Sequence, residues 1–359
     1  MSRRRGIIVL VLVIGAIAGL AFHLSHRNAG LYRVTVLPSL GGDFTAPDAI
    51  NDRGQIVGTS FVPGGDPHLF LWDRNEGMRD LGLVHGPASI NNQGQICATA
   101  TDPNGQRRAF IIEPDGTRRW LGTLGGTSMA MAMNNHGQVV GESGTAGKWG
   151  TGRDASHAFL WDEKHGMRDL HPPGADQSHA LAVNDRGQVL VYCPQQKVFI
   201  WDPHGGFVPV DPCELGPFFG FGRINNRGQT VLPSRSPRQR SRLLTSSTGA
   251  KWTTLFEFDG DVSELWLNDA GQVLFTGSPR RLRIPLLSRL FLRPLPRPCL
   301  WDPNRGLIYL DRYVSRETEM FLVVRHLNNR GCIVGFLRER TGHRDCAVLL
   351  EPVPERWGK

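Results

Sequence analysis

Cysteine is sparse, with six residues in a chain of 359, no Cys-x-x-Cys pair and none before Cys97. This is neither a disulfide framework nor a structural zinc site, and it excludes a lipid-attached N-terminal cysteine. Catalytic signatures are missing as well: the chain has no Gly-x-Ser-x-Gly elbow, no His-Glu-x-x-His helix and no phosphate-binding glycine loop. Long apolar runs are confined to Ile7–Phe22. Elsewhere the apolar stretches are short and bounded by Gly, Asn and Asp, which excludes helices of ordinary length.

What the chain does have is a repeat. Asn-x-x-Gly-Gln or a close copy starts at Asn51, Asn91, Asn134, Asn184, Asn225, Asn268 and Asn328, and only the last departs, with Cys332 in place of Gln. A period of roughly 40 residues with four short strands per unit is the signature of a propeller. In the clearest unit Met131-Ala-Met133 ends an innermost strand and Asn134 to Gly137 forms a tight turn. Gln138 to Ser143, His157 to Trp161 and Met167 to Leu170 are the next three strands. Asn suits the first turn position because its side chain reaches the backbone two residues on, and Gly suits the last.

The third strand repeats independently, as in Phe70-Leu-Trp-Asp73, Phe159-Leu-Trp-Asp162, Phe199-Ile-Trp-Asp202 and Cys299-Leu-Trp-Asp302, again seven times if the degraded Leu243 to Ser246 is counted. Trp-Asp precedes a turn inside the unit and no Gly-His pair lies upstream, unlike a WD40 repeat. Trp is expected to pack between blades and Asp to start the turn. The N-terminal Tyr32–Leu37 reads as a fourth strand without a blade, and Cys346–Glu351 as a third strand without a fourth. The expectation is an all-β, seven-bladed propeller over residues 30–352, its first strand completing the last blade and removing two sheet edges. A hydrophobic leader helix occupies residues 1–29 and a tail residues 353–359.

Through His157-Ala-Phe-Leu-Trp161, Leu121 to Gly126 and Gly137 to Gly141, the chain resembles the HAF-repeat family of extracellular bacterial proteins. The resemblance runs over about residues 31 to 351, strong in blades 1 to 4 and weak in blade 5. It implies an exported repeat protein and no catalytic residue.

Arg3, Arg4 and Arg5 precede Ile7–Phe22. The run is short for a spanning helix and long for a signal core. A retained single-pass anchor is favoured over a cleaved signal, with the N-terminus cytoplasmic and the propeller outside, periplasmic or at the cell surface. In an oxidising compartment a bridge between Cys193 and Cys213, at one face of blade 4, is left open. Cys332 and Cys346 are expected out of register.

Two candidate sites emerge. The variable second-to-third-strand loops of blades 5 and 6 hold Arg235, Arg238, Arg240, Arg242, Arg280, Arg281, Arg283, Arg289, Arg293 and Arg297, with no acidic residue inside either stretch. Arginine forks suit carboxylate, sulfate and phosphate, and apolar residues between the charges suit an anionic membrane surface. The innermost strands are mostly small and apolar, with Arg223, Glu264, Arg325 and His326 as the exceptions, able to form a polar channel site or to pair with one another across the channel. His165, His171 and His179 read as solvent-exposed rather than as metal ligands.

The net charge of +8 falls to about +4 without Arg3, Arg4, Arg5 and Arg27, too little for a nucleic-acid partner. The expected role is a monomeric, non-catalytic binding or scaffold module acting through the variable-loop face, on an envelope protein, a glycan or an anionic membrane surface. The alternatives are a polysaccharide-acting glycosidase or lyase with a channel site, and a subunit of an envelope complex. No cofactor is implied.

Overall fold

The computed structural model describes residues 30–145, 156–194, 197–210, 222–235, 241–247, 252–258, 262, 264–277, 297–313, 320–339 and 345–357. The leader segment therefore lies outside the described residues, as do Cys213, Arg238, Arg240, Arg280, Arg281, Arg283, Arg289 and Arg293. Among the described residues no helix is long and apolar enough to cross a membrane.

Seven antiparallel four-stranded sheets follow one another along the chain. Their innermost strands are Thr45–Ile50, Ser89–Ile90, Ser128–Met133, His179–Val183, Arg223–Ile224, Glu264–Leu267 and Met320–Leu327, which define blades 1 to 7. Six blades are continuous in sequence. The seventh takes its outer strand from the other end of the chain: Tyr32–Val36 pairs with Asp345–Pro352, in the register Tyr32↔Pro352, Val34↔Leu350 and Val36↔Val348. The ring thus closes as the sequence implies, without two exposed edges. A short C-terminal helix, Pro354–Trp357, straps the seam. Trp357 Nε1 donates to Leu31 O at 2.9 Å, and its ring meets Tyr32 edge-on at 5.5 Å.

Apolar residues sort into seven buried clusters, one for each contact between neighbouring blades. Trp72, Trp161, Trp201 and Trp301 all belong to these clusters. The following Asp starts the turn, as when Asp302 Oδ1 accepts the amides of Asn304 and Arg305.

The repeat motif serves mainly as a tie between blades. In every copy Asn Oδ1 accepts the amide of the residue four on, which holds the turn. In six copies Nδ2 donates to the motif Gln Oε1. The second Nδ2 hydrogen reaches the carbonyl of the next blade's Asn, at 2.9–3.2 Å, in an unbroken ring from Asn51 through Asn91, Asn134, Asn184, Asn225, Asn268 and Asn328 back to Asn51. All seven asparagines are buried. Asp could not replace them, because the site needs two donors as well as an acceptor.

The residue after each Asn builds a second ring. Asp52, Asn92, Asn135, Asp185, Asn226, Asp269 and Asn329 each donate a backbone N–H to the side-chain Oδ1 of the next, at 2.7–2.8 Å. No two of its aspartates are neighbours. The intervening amides donate to them, as Asn226 Nδ2 does to both Asp185 and Asp269.

Candidate functional site

The two asparagine-centred rings frame one mouth of a central cavity of about 350 Å³. The inner strands that wall it carry β-bulges in blades 1, 3, 4 and 7, between Pro47 and Ala49, Ala130 and Ala132, Ala180 and Ala182, and Val324 and His326. A bulge turns two successive residues the same way instead of to opposite faces. In three of these blades the partner strand carries Gly58, Gly141 or Gly335, where an added Cβ would run into the carbonyl of Ala46, Met129 or Val323. In the bulged blades the positions three and two before the repeat Asn are set at the channel, whereas in blade 6 Glu264 and Trp266, four and two before Asn268, line it.

All four channel residues expected from sequence meet in this cavity, joined by Asp48 and Trp266. Arg325 Nη1 donates to Glu264 Oε1 at 3.0 Å. Arg223 lies over the Trp266 ring at 3.9 Å, and that ring stands 4.4 Å from His326. Asp48 Oδ2 accepts the amide of Ala88 at 3.1 Å. Arg325 and Glu264 therefore pair between the neighbouring blades 7 and 6 rather than across the channel.

That pairing is incomplete. Arg223 Nε, Arg325 Nε, Trp266 Nε1 and His326 Nδ1 are buried without a hydrogen-bond partner in the protein. Orphaned buried polar groups also occur at Arg119 and Arg168, but four fall around this one cavity, where water or a ligand could partner them.

Burial also sets the charge states. It pushes the Asp48 carboxyl up to about 7, against the pull of the Ala88 amide and the Arg325 charge, with Glu264 adding to the rise. Glu264 is raised by burial and held back by Arg325 and Arg223. Burial lowers Arg223 to about 10, and His326 is brought down to about 3 by burial and then by the Arg223 charge. At neutral pH the cavity holds two guanidiniums, a neutral imidazole, an indole N–H and an Asp48 close to its midpoint of titration.

Sequence reading misses Asp48 because the bulge between Pro47 and Ala49 breaks the alternation by which inward positions are recognised. Its signal was available, since Asp48 stands three residues before its Asn, as Arg325 does. Trp266 was read as part of an apolar strand.

A second cavity, of about 490 Å³, opens on the side of the blade-to-blade connections. It is lined by Phe44, Phe61, Val84 and Met129 among others, and it shares Asp48 and Arg325 with the first.

Of the arginine loops, Arg235 and Arg242 fall on paired strands of blade 5 and Arg297 on blade 6. Arg242 Nε donates to Ser234 Oγ at 3.4 Å. Arg297 is tied to Asp311 through two bonds of 2.7 and 2.9 Å and covers Tyr309. Of the three histidines, His165 is exposed as expected and the other two are not. His171 and His179 are half-buried rather than solvent-exposed. His171 stacks on His157 at 3.7 Å and bonds Ser178 and Ala175, while His179 bonds Glu142. Packing between blades 3 and 4 encloses a connection that looked like an open loop. Among the described residues no three His, Cys, Asp or Glu side chains converge as a metal set. Cys193 is buried, and Cys332 and Cys346 are unpaired, since Leu337 rather than Cys332 faces Cys346.

No family model matches the chain, and no curated protein matches its sequence. Solved structures do share its architecture. An oligogalacturonate lyase in complex with manganese superimposes with a TM-score of 0.62 at 12% identity, over 92% of this chain and 96% of that one. Virginiamycin B lyase from Staphylococcus aureus gives 0.54 at 8%, over 90% and 100%. The WD40 propeller domain of Doa1 gives 0.51 at 12%, over 91% and 100%. At such identities these likenesses establish the fold alone.

Proposed function

We propose that this propeller is a binding module that takes a small anionic ligand into its axial channel, on the wall formed by Arg223, Arg325, Trp266, His326 and Asp48. The observation that carries this reading is the set of four buried, unpartnered nitrogens around one cavity, three of them obligate N–H donors and the fourth, His326 Nδ1, a donor in one tautomer. Two guanidiniums, an indole and an imidazole lining one desolvated space suit a carboxylate. The test is calorimetric titration of the full-length chain with small carboxylic acids. Arg223→Gln and His326→Gln should each weaken binding while leaving the unfolding midpoint near that of the parent. Binding that survives both substitutions would place the ligand elsewhere.

A catalytic reading is favoured by a different observation: Asp48 and Glu264, two carboxyls of raised pKa, share the cavity. A group titrating near 7 is suited to general acid or base work. One structural neighbour is an oligogalacturonate lyase, and an acidic oligosaccharide is the substrate class to try first. Turnover abolished by Asp48→Asn would support this second reading, and its absence across acidic glycans would remove it.

The leader segment and the HAF-like repeats support display outside the cytoplasmic membrane, tested by mass spectrometry of the mature N-terminus. The arginine loops of blades 5 and 6 would then face an anionic membrane surface or an envelope partner. Deleting residues 280–297 should weaken binding to anionic liposomes.

A further inference from the structure

The axial cavity has two unlike halves. Apart from the asparagine and aspartate rings at its mouth, its charged and donor groups come from blades 5, 6, 7 and 1. Blades 2, 3 and 4 face them with Ala88, Ser89, Met131, Ala132, Leu181 and Ala182, among which only Ser89 carries a polar side chain. Met131 is left 39% exposed, an apolar side chain uncovered on an innermost strand. Beyond Asp48 and Arg325 the second cavity continues with Phe44, Phe61, Val84 and Met129, and the Phe44 and Phe61 rings lie 4.9 Å apart.

We infer that the ligand of this channel is a monocarboxylic acid with an apolar, ring-sized body, its carboxylate on the wall of blades 5 to 7 and its body against blades 2 to 4. This rests on the channel being the binding site. Apart from the ring aspartates at the mouth, and with Asp48 protonated, two guanidiniums and the Glu264 carboxylate leave this wall one net positive charge, which a monoanion neutralises and a dianion would overcompensate. Hydroxyl groups turned toward Ala88, Met131 and Leu181 would lose water and find no replacement partner there. An apolar ring on the same surface gains by leaving water. The two halves together therefore select against a polyhydroxylated acid and in favour of an amphipathic one. Asp48 faces the carboxylate end together with Arg325, Glu264, Arg223 and His326. When protonated it donates to the bound carboxylate, so binding strengthens on acidification.

The experiment is calorimetric titration of the full-length chain at pH 6 with 3-phenylpropanoate, with glucuronate and with neutral 3-phenylpropanamide. The phenyl acid should bind at least about tenfold more tightly than either comparator. Met131→Gln, on an exposed side chain, should weaken the phenyl acid about threefold or more while the unfolding midpoint holds. Glucuronate binding as tightly as the phenyl acid would overturn this inference and leave the channel reading standing. An amide equal to the acid would overturn the carboxylate anchor. If neither acid binds, both readings fall.

Discussion

Asn328 Nδ2 donates to the carbonyl oxygen of Asn51 at 2.9 Å, across 277 residues of sequence, and in doing so joins the last blade to the first. The same bond recurs at the six other blade contacts. The motif that identifies the repeat in sequence is thus the device that closes it in space.

Removing this side chain should cost more than the loss of one surface hydrogen bond, because the buried Asn51 carbonyl keeps only the Gly54 amide while the Arg330 and Cys332 amides lose Asn328 Oδ1. Asn328→Ala is expected to lower stability by about 1–3 kcal/mol. Asn328→Asp should do at least as much harm at neutral pH, since it presents a carboxylate oxygen to a carbonyl oxygen. Urea unfolding of the three proteins in parallel decides this. An Asp variant as stable as the parent would show that the ring contributes nothing.

Blade 7 lacks the motif Gln. Cys332 keeps the backbone bond to Asn328 Oδ1, yet its sulfur is only a weak acceptor beside the Asn328 side chain, where the other blades place an amide oxygen. In other blades the Gln amide also reaches a third-strand carboxylate, as Gln95 does to Glu113 and Gln272 to Asp302. Cys332→Gln is expected to stabilise the fold by about 0.5–1.5 kcal/mol, with Glu351 as the second partner. A higher denaturant midpoint with an unchanged slope is the expected readout.

Much of the fold was legible in the sequence, and the reasons are specific. Asn, Gly and Asp at turns have local causes, and local causes show in a window of a few residues. The same local view hides the second use of Asn51 or Asn328, whose amide reaches a residue about one repeat or nearly the whole chain away. Asp48 escaped because a bulge breaks the two-residue alternation by which inner positions are recognised. Arg223, Glu264, Arg325 and His326 were visible as polar interruptions of apolar strands, and ring closure brings them together. Trp266 was not, because an indole in an apolar strand reads as core, and only its position beside Arg223 reveals the unpartnered donor.

Asp48 makes stability depend on pH. In the folded chain it keeps its proton up to about 7, whereas unfolded it releases it near 3.8. Between those values the folded state binds more protons than the unfolded one, so this contribution to stability falls as pH rises through the window. Above pH 7 the buried charge exerts its full penalty. Asp48→Asn retains an acceptor for the Ala88 amide and should stabilise the protein at pH 8 by about 1–3 kcal/mol, with the gain shrinking toward pH 4. Thermal melts of both proteins from pH 4 to 8 test the sign.

The second ring tolerates Asp only where its neighbours are Asn. Asn92 Nδ2 donates to Asp52 Oδ2 at 2.8 Å. Asn92→Asp would replace that donor with a carboxylate beside a carboxylate. A loss of about 1–2 kcal/mol is expected at pH 7, recovering in part below pH 4 as one of the pair protonates. Equal stability at both pH values would remove the alternation from the account.

Every feature of the axial site depends on the first strand completing the last blade. Hydrogen exchange followed by mass spectrometry on the full-length chain addresses that pairing directly, through the peptides covering residues 32–37 and 345–352. The closed ring predicts that both are protected alike, to within about tenfold in rate, and that they lose protection together in denaturant. Rapid exchange of residues 32–37 while residues 345–352 stay protected would mean an open blade, and with it the enclosed channel would go.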